Sequence, residues 1–195
     1  EKEMQHRSIT TGKGDQGESR ALNGSTLPKD HAMMEALGAL ETLRAHLALL
    51  QIRLQPIAEE KESTDCLFFL LHACFALGAF ISDPESSDPE SPHALTPQHL
   101  ERLEQEQHRL ERELNLPGAF IAAASNEDAA LADLAVAAAR SFERRLVGYQ
   151  RVAPGFNAPL PLAFANRMSD FLFILARHLE KGVYHTVDYS RLNPD

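Results

Sequence analysis

The stretch L-A-D-L-A-V-A-A-A-R-S-F-E-R-R, Leu131 to Arg145, is apolar up to Ala139 except at Asp133 and then carries three arginines. A helix that is apolar all round is buried on all sides. This one must therefore be surrounded by other helices. Arginines at the end of such a helix put fixed positive charge where water is scarce. That points to a site for phosphate or carboxylate, because the guanidinium fork recognises both bidentately.

On either side of this stretch the chain keeps the helical period. Met33, Leu37, Leu40, Leu43, Leu47, Leu50 and Leu54 recur at steps of three and four, predicting a first helix over about 30–59 that Pro56 ends or kinks. Leu67, Leu70, Leu71, Cys74, Leu77 and Phe80 predict a second over about 62–82. Residues 83–92 are rich in Asp, Ser, Pro and Glu and read as a solvent loop. Thr96-Pro97 is an N-cap followed by proline in the first turn, opening a charged third helix that runs to about residue 115. Asn126 caps a fourth over 126–151, whose core stripe reads Leu131, Leu134, Ala138, Phe142 and Leu146, with Arg140 and Arg144 pointing away. A fifth covers about 162–181. No segment alternates convincingly as a strand does. The expected fold class is all-α, an antiparallel five-helix bundle in one domain spanning 1–195. Residues 1–29 form an ordered or ligand-ordered amino-terminal loop, and 182–195 a carboxy-terminal tail.

Composition narrows the functions available. The 195 residues are 44% hydrophobic and 24% charged, the proportions of an ordinary soluble domain. The net charge of −9 argues against a general nucleic-acid surface or an anionic membrane partner. Any anion site must be a local concentration of arginine and backbone amides. Cys66 and Cys74 fall on one helix, about 12 Å apart at the helical rise, so they cannot bridge each other. A reducing, cytoplasmic setting is the natural reading. No signal peptide and no apolar run near the ~20 residues of a membrane span is expected.

Three places carry candidate chemistry. The loop T-T-G-K-G-D-Q-G-E-S, Thr10 to Ser19, is dense in glycine and hydroxyls. Its amides and Lys13 could cradle phosphates, or it could be a flexible terminus. Gly12, Gly14 and Gly17 match a dinucleotide fingerprint literally, but no strand–helix–strand unit follows. Arg140 and Arg144, with Glu143 between them, form either a solvated face or a subunit interface with a site at its edge. Asn166 and Asp170, four apart on the fifth helix, should meet on one face, either bonding a neighbouring helix end or reading a ligand's polar edge. The histidines show no metal spacing, and no residues are assigned to a protein-held metal.

These features occur together in one family. The chain resembles the PduO-type ATP:cob(I)alamin adenosyltransferases. The opening loop T-R-x-G-D-x-G-x-T is met by Thr11, Gly14, Asp15, Gly17 and Ser19, and a following lysine by Lys29. Arg140, Glu143, Arg144 and Arg145 meet R-R-A-E-R-R, and Asn166 through Arg177 nearly complete N-R-L-S-D-x-L-F-x-L-A-R. The likeness spans about residues 9–180. It implies a homotrimer of five-helix bundles with active sites between subunits and with ATP, Mg2+ and cob(I)alamin as ligands. It also implies transfer of the 5′-deoxyadenosyl group to cobalt with release of triphosphate. By position, Thr11, Lys13, Gly14, Asp15, Gly17, Ser19 and Lys29 would hold the polyphosphate. Arg140, Arg144 and Glu143 would grip phosphate and ribose, Asn166 the nucleotide, and Phe120 would stand on the corrin side. An acidic partner for Arg140 across the interface would be Glu41.

The chain departs from the pattern at Gly12 and Ser141, where the family has arginines, and at Ala123-Ala124, where it has a glycine turn. These departures keep open a non-catalytic reading, a nucleotide or cobalamin carrier on the same bundle. A helical adaptor is the third possibility.

Overall fold

Proline and capping residues set the helix boundaries in the structure, a computed structural model describing residues 10, 12, 14–83, 91 and 93–192. Helix α1 (Ala32–Leu54) starts where His31 Nδ1 accepts the Met33 N–H at 3.1 Å. It ends short of residue 59 because Pro56 has no N–H to continue the ladder. One 3₁₀ turn, Ala58–Glu60, leads into α2 (Lys61–Ser82). In α3 (Pro97–Glu111) the imidazole of His99 accepts the Thr96 N–H at 3.0 Å. The end of α3 tightens into i→i+3 bonds, from Glu113 N–H to Leu110 and Leu114 N–H to Glu111, so it stops before residue 115. Helix α4 (Glu127–Val152) is capped by Asn126, whose Oδ1 accepts the Ala129 N–H at 2.9 Å. Helix α5 (Pro159–Leu179) begins three residues earlier than its sequence period suggests. Pro159 and Pro161 sit in its first turn, where a missing N–H loses no helical bond.

The bundle is arranged around α4. It packs most extensively on α1 and α5, while α2 lies on the far side of α1 and α3 on the far side of α5. Its core face runs Ala132, Ala135, Ala139, Phe142, Leu146 and Tyr149, all buried. Leu134 does not belong to this face and is 49% exposed. At 100° per residue it projects a quarter turn from Ala135, and two neighbouring helices need the small alanines at their contact. The alanine-rich sequence is thus a requirement for close packing on two sides.

Short strands occur that no alternation in the sequence discloses. Strands β1 (Glu18–Arg20) and β2 (Thr26–Pro28) pair antiparallel with Ser19 opposite Leu27, so part of the amino-terminal segment is a hairpin. Strand β3 (Ile121–Ala123), just before α4, pairs antiparallel with β4 (His185–Thr186). The Val187 N–H also bonds the Phe120 carbonyl at 2.8 Å. Residues 185–187 are therefore docked against the segment ahead of α4.

One further expectation is corrected. The 3₁₀ turn and α2 form one 25-residue helical stretch, Ala58–Ser82, long and apolar enough to cross a membrane by length and composition. It packs on α1 and places Cys66, Leu67, Leu70, Cys74, Leu77 and Ile81 in the shared core. A core helix of a bundle meets the same length and composition.

Buried charges are paired. Glu60 accepts bonds from Ser63 (3.0 Å) and His178 (3.2 Å). Arg177 lies between Glu180 (2.7 Å) and Asp133 (2.9 Å). Cys66 and Cys74 are free thiols, each pushed up to about 12 by burial.

Candidate functional site

Two clusters gather most of the residues singled out in the sequence. The first is the amino-terminal loop. Gly17 (φ +81°) and Gly12 (φ +68°) occupy the left-handed region that glycine adopts without strain. Gly17 N–H bonds Gly14 O at 3.3 Å, and Lys29 N–H bonds Gly17 O at 2.8 Å, closing the loop on the end of the hairpin. Gly14 faces the lysine side chain so closely that a Cβ there would stand 3.2 Å from Lys29 Nζ. Gly14, Gly17 and Lys29 are thus brought together, with Asp15 exposed beside them and Ser19 half-buried in β1. Thr11 and Lys13 lie outside the described residues.

The second cluster lies where α4 meets α5. Glu143 Oε1 accepts a bond from Asn166 Nδ2 at 3.2 Å, so these two residues, 23 apart in sequence, form one polar unit. Arg140 and Arg144 are exposed on the same helix as Glu143 and have no ion pair among the described residues. The third arginine, Arg145, is engaged with Glu35 of α1 at 2.9 Å. Only two of the three guanidinium groups are available to a ligand.

Asn166 and Asp170 do not pair with each other. Asp170 takes Arg167 Nη1 at 3.0 Å, and Arg167 Nε reaches Glu104 of α3 at 3.0 Å. The reason is reach: the long arginine bridges to a third helix that the local spacing does not reveal. Arg167 is the strut between α3 and α5, with Asp170 paired to it one turn along α5, whereas Asn166 of α5 turns to Glu143 of α4.

Arg140 also lines a pocket of about 260 Å³ with Ile121–Ala123, Asp133, Val136, Phe173 and Arg177. Asp133 and Arg177 were not assigned to the site from sequence, although Asp133 is the lone polar break in the oily run. Phe120, the residue before β3, is 82% exposed, an unusual position for a large apolar ring. Glu41 lies elsewhere, exposed on α1 along a cleft of about 870 Å³ that it shares with Arg44 and Phe75. The guanidinium of Arg44 stacks over that ring at 4.9 Å. Within one copy Glu41 and Arg140 form no ion pair. Nor do Gly14, Asp15, Gly17 and Lys29 bond Arg140, Glu143 or Arg144 within one copy.

Chemically, the loop offers amides and an ammonium group. The helix pair offers two exposed guanidinium groups next to a carboxamide and a carboxylate. That set suits a polyphosphate joined to a hydroxylated, nitrogen-bearing group.

Comparison with known proteins gives this set a context. The sequence is similar to a corrinoid adenosyltransferase of Mycobacterium leprae (strain TN), 31% identical over 127 residues, covering 63% of this chain and 66% of that protein. It is 29% identical over 177 residues to corrinoid adenosyltransferase MMAB of Bos taurus, covering 87% of this chain and 70% of that one. The chain thus spans about two thirds of these relatives' length. In fold it matches a variant PduO-type ATP:corrinoid adenosyltransferase of Lactobacillus reuteri complexed with cobalamin and ATP. The TM-score is 0.81 at 21% identity, over 92% of this chain and 99% of that one. A second variant of that protein, complexed with ATP, matches with a TM-score of 0.79 at 21% identity, over 92% of this chain and all of the other. The sequence pattern of cobalamin adenosyltransferases matches residues 9–179, nearly the whole described bundle, and the chain belongs to that family.

Proposed function

We propose that this chain transfers the 5′-deoxyadenosyl group of ATP to reduced cobalamin, forming adenosylcobalamin and releasing triphosphate. The structural observation that carries the reading is the pair of exposed arginines, without an ion pair among the described residues, beside the Asn166–Glu143 unit. In the reaction the electron pair on cob(I)alamin cobalt forms the bond to C5′. The C5′–O bond breaks, and triphosphate leaves with that bond's electrons. The nucleophile is the substrate itself, so the protein's tasks are alignment and stabilisation of the leaving group, each worth several kcal/mol. Arg140 and Arg144 meet the negative charge that grows on the triphosphate. Glu143 and Asn166 hold ribose and base. Gly14, Asp15, Gly17, Ser19 and Lys29, with Thr11 and Lys13, wrap the polyphosphate, and Phe120 faces the corrin. Mg2+ is held by the phosphate oxygens of ATP, since the residues on this side are mainly cationic or amide donors.

The working unit is a homotrimer with its sites between subunits, in the cytoplasm. Two features support this arrangement: among the described residues the loop and arginine clusters share no bond within one copy, and neither Glu41 nor Arg140 has an ion-pair partner. Residues 1–29 serve as the nucleotide-binding loop of a single domain, and 182–195 as its tail.

Incubation with ATP and chemically reduced cobalamin tests the reaction. The expected result is the visible spectrum of adenosylcobalamin and one triphosphate per turnover. Binding of both ligands with no carbon–cobalt bond formed would make the chain a carrier instead.

A further inference from the structure

Glu180 and Arg177 are among the most enclosed charged side chains in the chain, with 0% and 3% of their side-chain surface exposed. Arg177 Nε lies 2.7 Å from one Glu180 oxygen. The other Glu180 oxygen accepts the Ser125 N–H at 2.9 Å, in the turn joining β3 to α4. The far edge of the guanidinium, Nη2, donates to Asp133 on α4 at 2.9 Å, and its plane lies over the Phe173 ring at 5.1 Å. A continuous connection thus runs from the turn after β3, through the end of α5, to α4. Arg177, Asp133, Phe173 and β3 are walls of the pocket that contains Arg140.

Burying such an ion pair is costly, and apolar side chains of equal volume often stabilise a fold as well or better. This ion pair, however, is continued by one hydrogen bond from each partner, Glu180 to the Ser125 N–H and Arg177 to Asp133, and so links groups on three elements. That geometry sets distances between those elements. We propose that Arg177 and Glu180 are positioning residues for the corrinoid, holding β3, and with it Phe120, at a fixed height over Arg140. This rests on the adenosyltransferase reading above, in which Phe120 faces the corrin.

The double variant Arg177→Met/Glu180→Gln orphans no buried charge and keeps an acceptor for Ser125, so the bundle should fold. With ATP and chemically reduced cobalamin, KM for the corrinoid should rise tenfold or more while KM for ATP stays within twofold. Amide exchange at Ile121, Ala123 and Val187 should quicken at least tenfold, with α1 unchanged. Equal changes in both KM values, no change in either, or unaltered exchange in β3 would each overturn the proposal. Should the double variant fail to fold, Arg177→Lys supplies the same comparison, since an ammonium keeps the charge but lacks the fork that reaches Glu180 and Asp133 together. Should the wild-type chain form no adenosylcobalamin, the assigned reaction fails, and the exchange comparison alone decides the positioning role.

Discussion

Arg140 and Arg144 stand one helical turn apart on α4, exposed and without an ion pair among the described residues, whereas Arg145 beside them is tied to Glu35. Sequence alone treats the three as one basic run; their partners separate a structural arginine from two free ones. Arg144→Ala should lower adenosyl transfer by about 10²-fold, as loss of a charge-stabilising donor does. Its melting temperature should stay near wild type, because an exposed, unpaired side chain contributes little to stability. Full activity in that variant would remove Arg144 from the site. Cys66 and Cys74 present the opposite case. Burial pushes both thiols up to about 12, so hardly any thiolate exists at neutral pH. Iodoacetamide should leave both unmodified in the native protein and label both rapidly once urea unfolds it.

Between elements, the ends of α4 and α5 are fastened to each other. Asn126 caps α4 through the Ala129 N–H and also donates from Nδ2 to the Leu179 carbonyl at 2.8 Å. Asn126→Ala removes a cap and a tertiary bond together, and the expected loss is about 1–2 kcal/mol in chemical denaturation. A smaller loss at Thr96→Ala would be consistent, since α3 packs chiefly on α5 alone. Glu60 secures the turn before α2. The hydrogen bond from His178 holds its carboxyl below the usual carboxylate range, against the opposing effect of burial. A carboxyl lowered by folding adds stability above its unfolded pKa, and that contribution is lost as pH falls through the folded value. Wild-type melting temperature should therefore drop steeply on acidification below about pH 5, and Glu60→Gln should flatten that limb. An unchanged slope would show that Glu60 has no part in acid unfolding.

Across the whole molecule, the proposed trimer brings the loop cluster of one copy to the arginine cluster of another, and Glu41 and Arg140 give a way to test it. Glu41→Arg should weaken assembly in sedimentation by placing like charges opposite each other. Combining it with Arg140→Glu should restore assembly while leaving transfer inactive. Equal sedimentation of all three proteins would rule out that ion pair.

Helix number, order and most boundaries were legible in the sequence, because caps, prolines and the 3.6-residue period act through neighbours a few positions away. The basic run, the glycine loop and the Asn166 segment were legible for the same reason: each is a local pattern. The buried face of α4 was not, since Leu134 is as apolar as its neighbours and only the presence of helices on two sides selects the alanines. Nor could spacing assign Arg167 to Glu104, or Arg177 to Asp133, because such pairings depend on which elements adjoin. The two small ladders are the extreme case. A strand of two or three residues has no stable existence without its partner, so only the folded chain, which brings residues 121–123 against 185–186, could decide that they form.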